Sequence, residues 1–346
     1  MEAEPPDLRY QAQSGNESSS LLLFPEFPPI PLPSWRHTLT KPTNKLSRLQ
    51  PEQLQAWATE AINRSLSGEM PGYIPLLVEA DPSEFAVQIR SIDGDFLGFG
   101  KADKIFPLMS VVKPFVLLYL LCELGETVVF ERVGCEASEL PFNSLAQLEI
   151  DLGKPRNPMI NSGAIALASL LPGENAVLRC QNLLLWLNLK ANIQLFMDEL
   201  MLDSVRANPN QNNRNLALEM QNSGVIQDAE IALETYNRVC CLSGNVAALA
   251  KLGMLLVSRG DRTMAEQGRN VKALMATCGL YQASGRWALQ VGLPTKSGVS
   301  GAVLSVIPGV GAIACYSPPL DKEGNSVGGL FLLERIAKSL GLSVFD

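Results

Sequence analysis

From residue 51 the apolar positions recur at helical spacing. Leu54, Trp57, Ala58, Ala61 and Ile62 share one stripe, with Pro51-Glu52 at its start and Gly68 past its end, which predicts a helix. The period then drops to two. Phe85, Val87 and Ile89 alternate within Glu84–Arg90, Asp93-Gly94 supplies a turn, and Phe96–Phe99 returns, the pattern of a hairpin. From Ser110 to about Thr277 the pattern is mainly helical. Alternation reappears at Trp287, Leu289, Val291 and Leu293, then in Ala302–Ile307 and Ala312–Tyr316. The chain closes on Val327–Leu340, a helix with Leu330, Leu333, Ile336 and Ala337 inward. This order predicts an α+β fold: an antiparallel five-stranded sheet flanked by terminal helices on one face, beside a helical region. The sheet part spans about 47–109 and 278–346, and the helical part about 110–277. Their junction is the natural cleft.

Residues 1–46 read as a proline-rich N-terminal tail. Phe24-Pro-Glu-Phe-Pro-Pro-Ile-Pro-Leu-Pro33 favours extended polyproline conformation. Phe24, Phe27, Ile30, Leu32 and Trp35 make it apolar enough to dock on the domain, and disorder is the equal alternative. The remainder, 47–346, reads as one domain.

Composition narrows the function. Of the 346 residues 47% are apolar and 18% charged, enough for a real core. A net charge of −7 argues against nucleic acid or an anionic membrane surface as partner. No apolar run approaches the roughly 20 residues of a membrane span. The acidic, proline-broken Met1–Asp7 is unlike a signal peptide. Seven cysteines without a C-x-x-C pattern suit free thiols in a reducing cytoplasm.

The chain has one histidine, His37, within the tail. A Ser-His-Asp triad or a histidine-ligated zinc site therefore has no histidine in the folded region. Ser110-Val111-Val112-Lys113 offers a different pair, because residues three apart share a helix face. A serine hydroxyl needs a base to become a nucleophile, and a desolvated lysine is such a base. Ser-x-x-Lys also occurs by chance on solvated helices. Here Pro114 and the apolar run Phe115–Cys122 place Ser110 at the start of a core helix, whose free N–H groups favour negative charge.

Further stretches join this pair in order: Tyr73-Ile-Pro75, Asn157-Pro-Met-Ile-Asn161-Ser-Gly, Arg214-Asn215, Tyr236, Cys278-Gly-Leu-Tyr281, Lys296-Ser-Gly-Val299, Pro318-Pro-Leu-Asp321 and Gly324-Asn-Ser-Val327. Over about residues 50–346 the chain resembles the serine-dependent glutaminase family, which has the β-lactamase/transpeptidase-like fold. The resemblance implies hydrolysis of L-glutamine to L-glutamate and ammonia, without metal or cofactor, in a homodimer or homotetramer of the cytoplasm. It implies Ser110 as nucleophile, Lys113 as base and Tyr281 as the tyrosine assisting proton transfer to ammonia. Backbone N–H groups of Ser110 and Val299 match the oxyanion hole. Tyr73, Asn161, Asn215 and Tyr236 match substrate-holding positions. Taken without the resemblance, Tyr236 and Tyr281 also read as core tyrosines and Asn161 as a helix cap. Lys296 reads as a second positive charge near the cleft.

Two departures stand out. Seven residues before the matched asparagine the family carries a glutamate that meets the substrate ammonium; here that count falls on Asn208. Cys135–Glu139 replaces a usual Glu-Pro-Ser-Gly run, while Phe142-Asn-Ser144 is retained. The first departure keeps two other functions open: the same acyl-serine chemistry on a different amide, or a non-catalytic glutamine/glutamate-binding homologue.

Overall fold

Strands β1 (Ala86–Ser91), β2 (Phe96–Gly100), β6 (Thr295–Ser297), β7 (Ala302–Ile307) and β8 (Gly311–Tyr316) form one antiparallel sheet in the order β2-β1-β8-β7-β6. The structure is a computed structural model and describes residues 44–257 and 262–346. The expected tail lies outside the described residues except for Asn44–Leu46. There Leu46 is buried in the sheet-side core and the Lys45 amine donates to the Gly341 carbonyl.

Alternation divides each central strand between two cores. In β8, Ile313 and Cys315 face the terminal helices Pro51–Ser65 and Val327–Leu340, meeting Leu54, Ala58, Leu332 and Ile336. Ala312, Ala314 and Tyr316 face the opposite way, toward Leu249, Leu252 and Leu256 of helix Val246–Val257. Nothing in β7 or β8 reaches solvent apart from the turn between them. The final helix begins and ends where its spacing predicts, with the Ser326 hydroxyl accepting from the Gly329 N–H and Gly341 at φ +59° closing it.

The helix through Phe115 is buried on every side from Lys113 to Leu121, as an apolar run without a polar face requires. It starts slightly later than expected. Met109–Val112 is a 3-10 turn, followed by α-helix Lys113–Arg132 with a non-helical Gly125 inside it. A second sheet, in the order β3-β5-β4, lies in the helical region: β3 (Phe106–Pro107), β4 (Phe196–Met197) and β5 (Leu242–Gly244). Strands of two or three residues carry no readable period. This small sheet matters because β3 leads into Ser110 and β5 follows Cys240.

One expected strand is wrong. Trp287, Leu289, Val291 and Leu293 alternate, yet Ser284–Gln290 is a helix and the strand begins at Thr295. Gly292, at φ +69°, ends the helix, its N–H donating to the Trp287 carbonyl. Trp287 points into the core, its indole N–H donating to the Leu293 carbonyl (3.1 Å) and the Thr295 hydroxyl (3.0 Å). Leu289 is 88% exposed. A strand would place Trp287 and Leu289 on the same face; the helix separates them. Leu289→Lys is therefore expected to change stability by less than about 0.5 kcal/mol. Trp287→Ala is expected to cost about 3–5 kcal/mol. Chemical denaturation of the two variants checks this, and equal large losses would restore the strand.

Candidate active site

Ser110 sits in the first turn of a helix, where backbone N–H groups have no intrahelical partner. Two constraints hold it there. Leu108 N–H donates to the Leu242 carbonyl at 2.8 Å, tying the approach to β5. On the other side Gly298, after β6, passes so close that a Cβ there would lie 2.9 Å from the Leu108 carbonyl oxygen and 3.3 Å from the Ser110 nitrogen. Val299, the next residue, thus stands beside the Ser110 main chain and lines the same cleft. Met109 adopts φ +45°, a conformation costly for a residue with a side chain.

Lys113 is 2% exposed and has no carboxylate partner among the described residues. Its amine donates to the Asn161 side-chain oxygen (2.9 Å) and the Met159 carbonyl (3.2 Å). Burial pulls its pKa down from the usual lysine value to about 8, the nearby Cys240 thiol opposing this. Asn161 is the hub. It occupies the first turn of helix Asn161–Leu170, but its side chain does not cap that helix. Its oxygen also accepts from the Tyr236 hydroxyl (3.2 Å), and its amide donates to the Asn213 oxygen (2.9 Å). Asn157 shapes the turn before it, accepting from the Met159 N–H at 2.9 Å. Gly163 is required there, since a Cβ would fall 1.9 Å from the Asn157 carbonyl oxygen.

The cleft above these residues holds ≈ 550 Å³ and is lined by Tyr73, Ser110, Asn161, Asn208, Tyr236 and Val299 among others. Tyr73 is half exposed and Asn208 lies at the open rim. Asn215, however, is not among the lining residues. It is partly exposed, and its oxygen accepts from Gln211, a lining residue one turn earlier on helix Gln211–Asn222. Asn213 faces inward with Leu216, Ala217 and Met220, the spacing of one helix face. Two residues on, a side chain is turned by about 200°. The Asn-rich run Asn208–Asn215 hides this, and only the period of Leu216, Ala217 and Met220 would have singled out Asn213. Counting back seven from Asn213 reaches Arg206, not Asn208.

Tyr281 approaches Ser110 from the other side. Its ring packs on Phe142, centroids 4.5 Å apart, and its backbone is held at φ +56°. Burial pushes its pKa up to about 12, with the Ser110 and Ser297 hydroxyls pulling it partly back. Its own hydroxyl is buried facing those two serines, with neither in full hydrogen-bond geometry. Lys296 lies beneath, with no exposure at all, its amine 4.4 Å from the Tyr281 ring centroid and donating to the Ser297 carbonyl at 2.7 Å. Burial, then repulsion from Lys113, holds its pKa well below the lysine norm. It is a buried amine rather than a fixed surface charge. Ser297 donates to Asn325 at 2.5 Å, which ties this strand end to the turn before the last helix. Among the described residues no three His, Cys, Asp or Glu side chains are grouped as metal ligands would be.

A five-stranded antiparallel sheet in this order, flanked by the terminal helices and set beside a helical region, defines the class of β-lactamase-like hydrolases. Comparisons with known proteins agree. The glutaminase family profile matches residues 68–345. A glutaminase of Synechocystis is 45% identical over 289 residues, covering 83% of this chain and 88% of its own. The solved structure of the probable glutaminase ybaS superposes with a TM-score of 0.79 at 36% identity, covering 86% of this chain and all of the other. A Bacillus subtilis glutaminase, solved as a covalent complex with 5-oxo-L-norleucine formed from 6-diazo-5-oxo-L-norleucine, matches with a TM-score of 0.75 at 28% identity, covering 85% of this chain and 99% of its own. The chain belongs to the glutaminase family. Its reaction is hydrolysis of L-glutamine to L-glutamate and ammonia.

With Lys113 as the base, kcat/KM for ammonia release is expected to rise with pH and level off after an inflection near 8. A carboxylate beside the amine favours its charged form, so Asn161→Asp is expected to move that inflection upward. A flat profile from about pH 6 to 9 assigns the base elsewhere.

Proposed function

We propose that Ser110 is the nucleophile and Lys113 the base of this glutaminase. The hydroxyl oxygen of Ser110 attacks the carboxamide carbon of glutamine while its proton passes to the neutral Lys113 amine. The carbonyl oxygen gathers negative charge between the N–H groups of Ser110 and Val299. Tyr281 relays a proton to the leaving nitrogen, the C–N bond breaks, and ammonia departs from an acyl-serine ester. Water then cleaves the ester, releasing glutamate and returning the proton to Ser110. Tyr73, Asn161, Asn208, Asn213 and Tyr236 hold the substrate.

One observation carries this reading. The Lys113 amine is buried with only neutral oxygen acceptors, on the same helix start as Ser110. Nothing in that setting stabilises its charged form as a carboxylate would, so it sheds its proton readily. The covalent complex of the Bacillus subtilis relative adds support: a diazoketone lying where the amide would lie loses N2 as a nucleophile bonds to its terminal carbon, next to the retained ketone. Ser110→Ala is expected to lower ammonia release at least about a thousandfold, and Lys113→Met nearly as much, since residues acting as one unit are not additive. Intact-mass measurement with 6-diazo-5-oxo-L-norleucine is expected to show one adduct on the native enzyme and none on Ser110→Ala. An adduct that survives Ser110→Ala places the nucleophile elsewhere.

A cytoplasmic homo-oligomer completes the proposal. Cys135, Cys180, Cys240, Cys241, Cys278 and Cys315 are free thiols, as suits a reducing compartment. No helix among the described residues is long and apolar enough to cross a membrane. In the helical region Leu185, Leu189 and Leu200 are 59%, 71% and 76% exposed, an apolar surface that a second subunit would cover. Light scattering is expected to give a multiple of 37.5 kDa, reduced by Leu189→Glu. A monomer at micromolar concentration rejects the oligomer.

A further inference from the structure

The outer half of the cleft is built from Val205, Arg206, Asn208, Asn210, Asn213 and Arg214. Among its described lining residues there is no aspartate or glutamate. The nearby acids are engaged with these same cations. Glu234 accepts from Arg206 and Arg238, Asp203 pairs with Arg206 at 3.5 Å, and Glu230 accepts from Arg214 at 2.7 Å. A guanidinium has five N–H donors, so an arginine already paired with carboxylates keeps donors for a further one.

L-Glutamine brings two charges to this half of the cleft. Its α-carboxylate meets guanidinium and amide donors, a good match. Its α-ammonium meets only neutral side-chain oxygens, with two arginines of like charge nearby. Hydrogen bonds to charged partners exceed neutral ones by about a factor of ten in equilibrium terms. Most of the recognition on offer is therefore for the carboxylate. The volume of ≈ 550 Å³ lies in the range that takes drug-sized ligands, which leaves room for a group on the α-nitrogen.

We propose that this cleft selects its substrates by their free carboxylate and not by an α-ammonium, so that the enzyme also hydrolyses ω-carboxamides of dicarboxylic acids with no cationic nitrogen. Glutaramate and α-N-acylated glutamine are members of that class. The chemistry is that proposed above and the inference rests on it: an acyl-serine ester forms, the C–N bond breaks, ammonia leaves, and water regenerates Ser110.

Ammonia release by the full-length protein from L-glutamine, N-acetyl-L-glutamine, glutaramate and pentanamide tests this. The first three are expected to have kcat/KM values within about tenfold of one another. Pentanamide, which keeps the amide but has no carboxylate, is expected to fall at least about tenfold below glutaramate. Asn208→Glu places a carboxylate at the rim and is expected to raise the preference for glutamine over glutaramate about tenfold. A native preference for glutamine of more than tenfold over both uncharged-nitrogen amides overturns the inference, as does pentanamide equal to glutaramate. If Ser110→Ala abolishes turnover in either case, the catalytic reading stands and only the selectivity fails. Activity that survives Ser110→Ala, or none on any amide, overturns both.

Discussion

An amine without a carboxylate partner has been taken out of water, and the site is organised around that fact. Desolvating a lysine cation is costly, and neutral oxygens offset only part of the cost. Lys113 therefore needs every acceptor it has, and the most important, the Asn161 oxygen, is itself held by Tyr236 and Asn213. Losing any member leaves another buried polar group without a partner. The asparagine and tyrosine positions thus do two things together: they shape the cleft floor, and they fix the place of the buried amine.

Electrostatics of the molecule and of the cleft differ in sign. The chain carries a net charge of −7, yet the charged groups that line the cleft are arginines. Carboxylates stand behind these arginines and not in the cleft lining, so the guanidinium donors are what a ligand meets. Arg206 and Arg214 pair with Glu234 and Glu230 of helix Ala229–Cys240, which biases where the guanidinium groups stand before any ligand arrives. Positioning of this kind lowers the ordering cost of binding.

Much of the frame was legible in the sequence because period and punctuation agreed. Phe85, Val87 and Ile89 with Asp93-Gly94 gave a hairpin, and Val327–Leu340 gave a helix with its bounds. Ser110 and Lys113 were legible for a local reason: three residues on a helix start, then Pro114 and an apolar run. What failed was what needs more than local pattern. Trp287 to Leu293 alternates, but Gly292 breaks the segment into a helix and a turn. The inward place of Asn213, bonded to Asn161, is hidden by its sharing a residue type with Asn212 and Asn215. Lys296 read as a charge near the cleft, since lysine is seldom fully buried. The small sheet that anchors Ser110 is assembled from three segments far apart in the chain, with no period to announce it.

The pairing of β1 with β8 reaches across the whole protein, from Ala86–Ser91 to Gly311–Tyr316. The Gly298 backbone that presses on Ser110 comes from the same late part of the chain. During synthesis Ser110 and Lys113 emerge long before Val299 and the strand that completes the sheet. Closing so long a loop carries an entropic cost, and such contacts form slowly. The partly made chain is thus a helical region with an exposed sheet edge and no assembled site. The cleft around Ser110 is complete only once Gly298, Val299 and β8 have left the ribosome, which makes its assembly a late step in the folding of this domain.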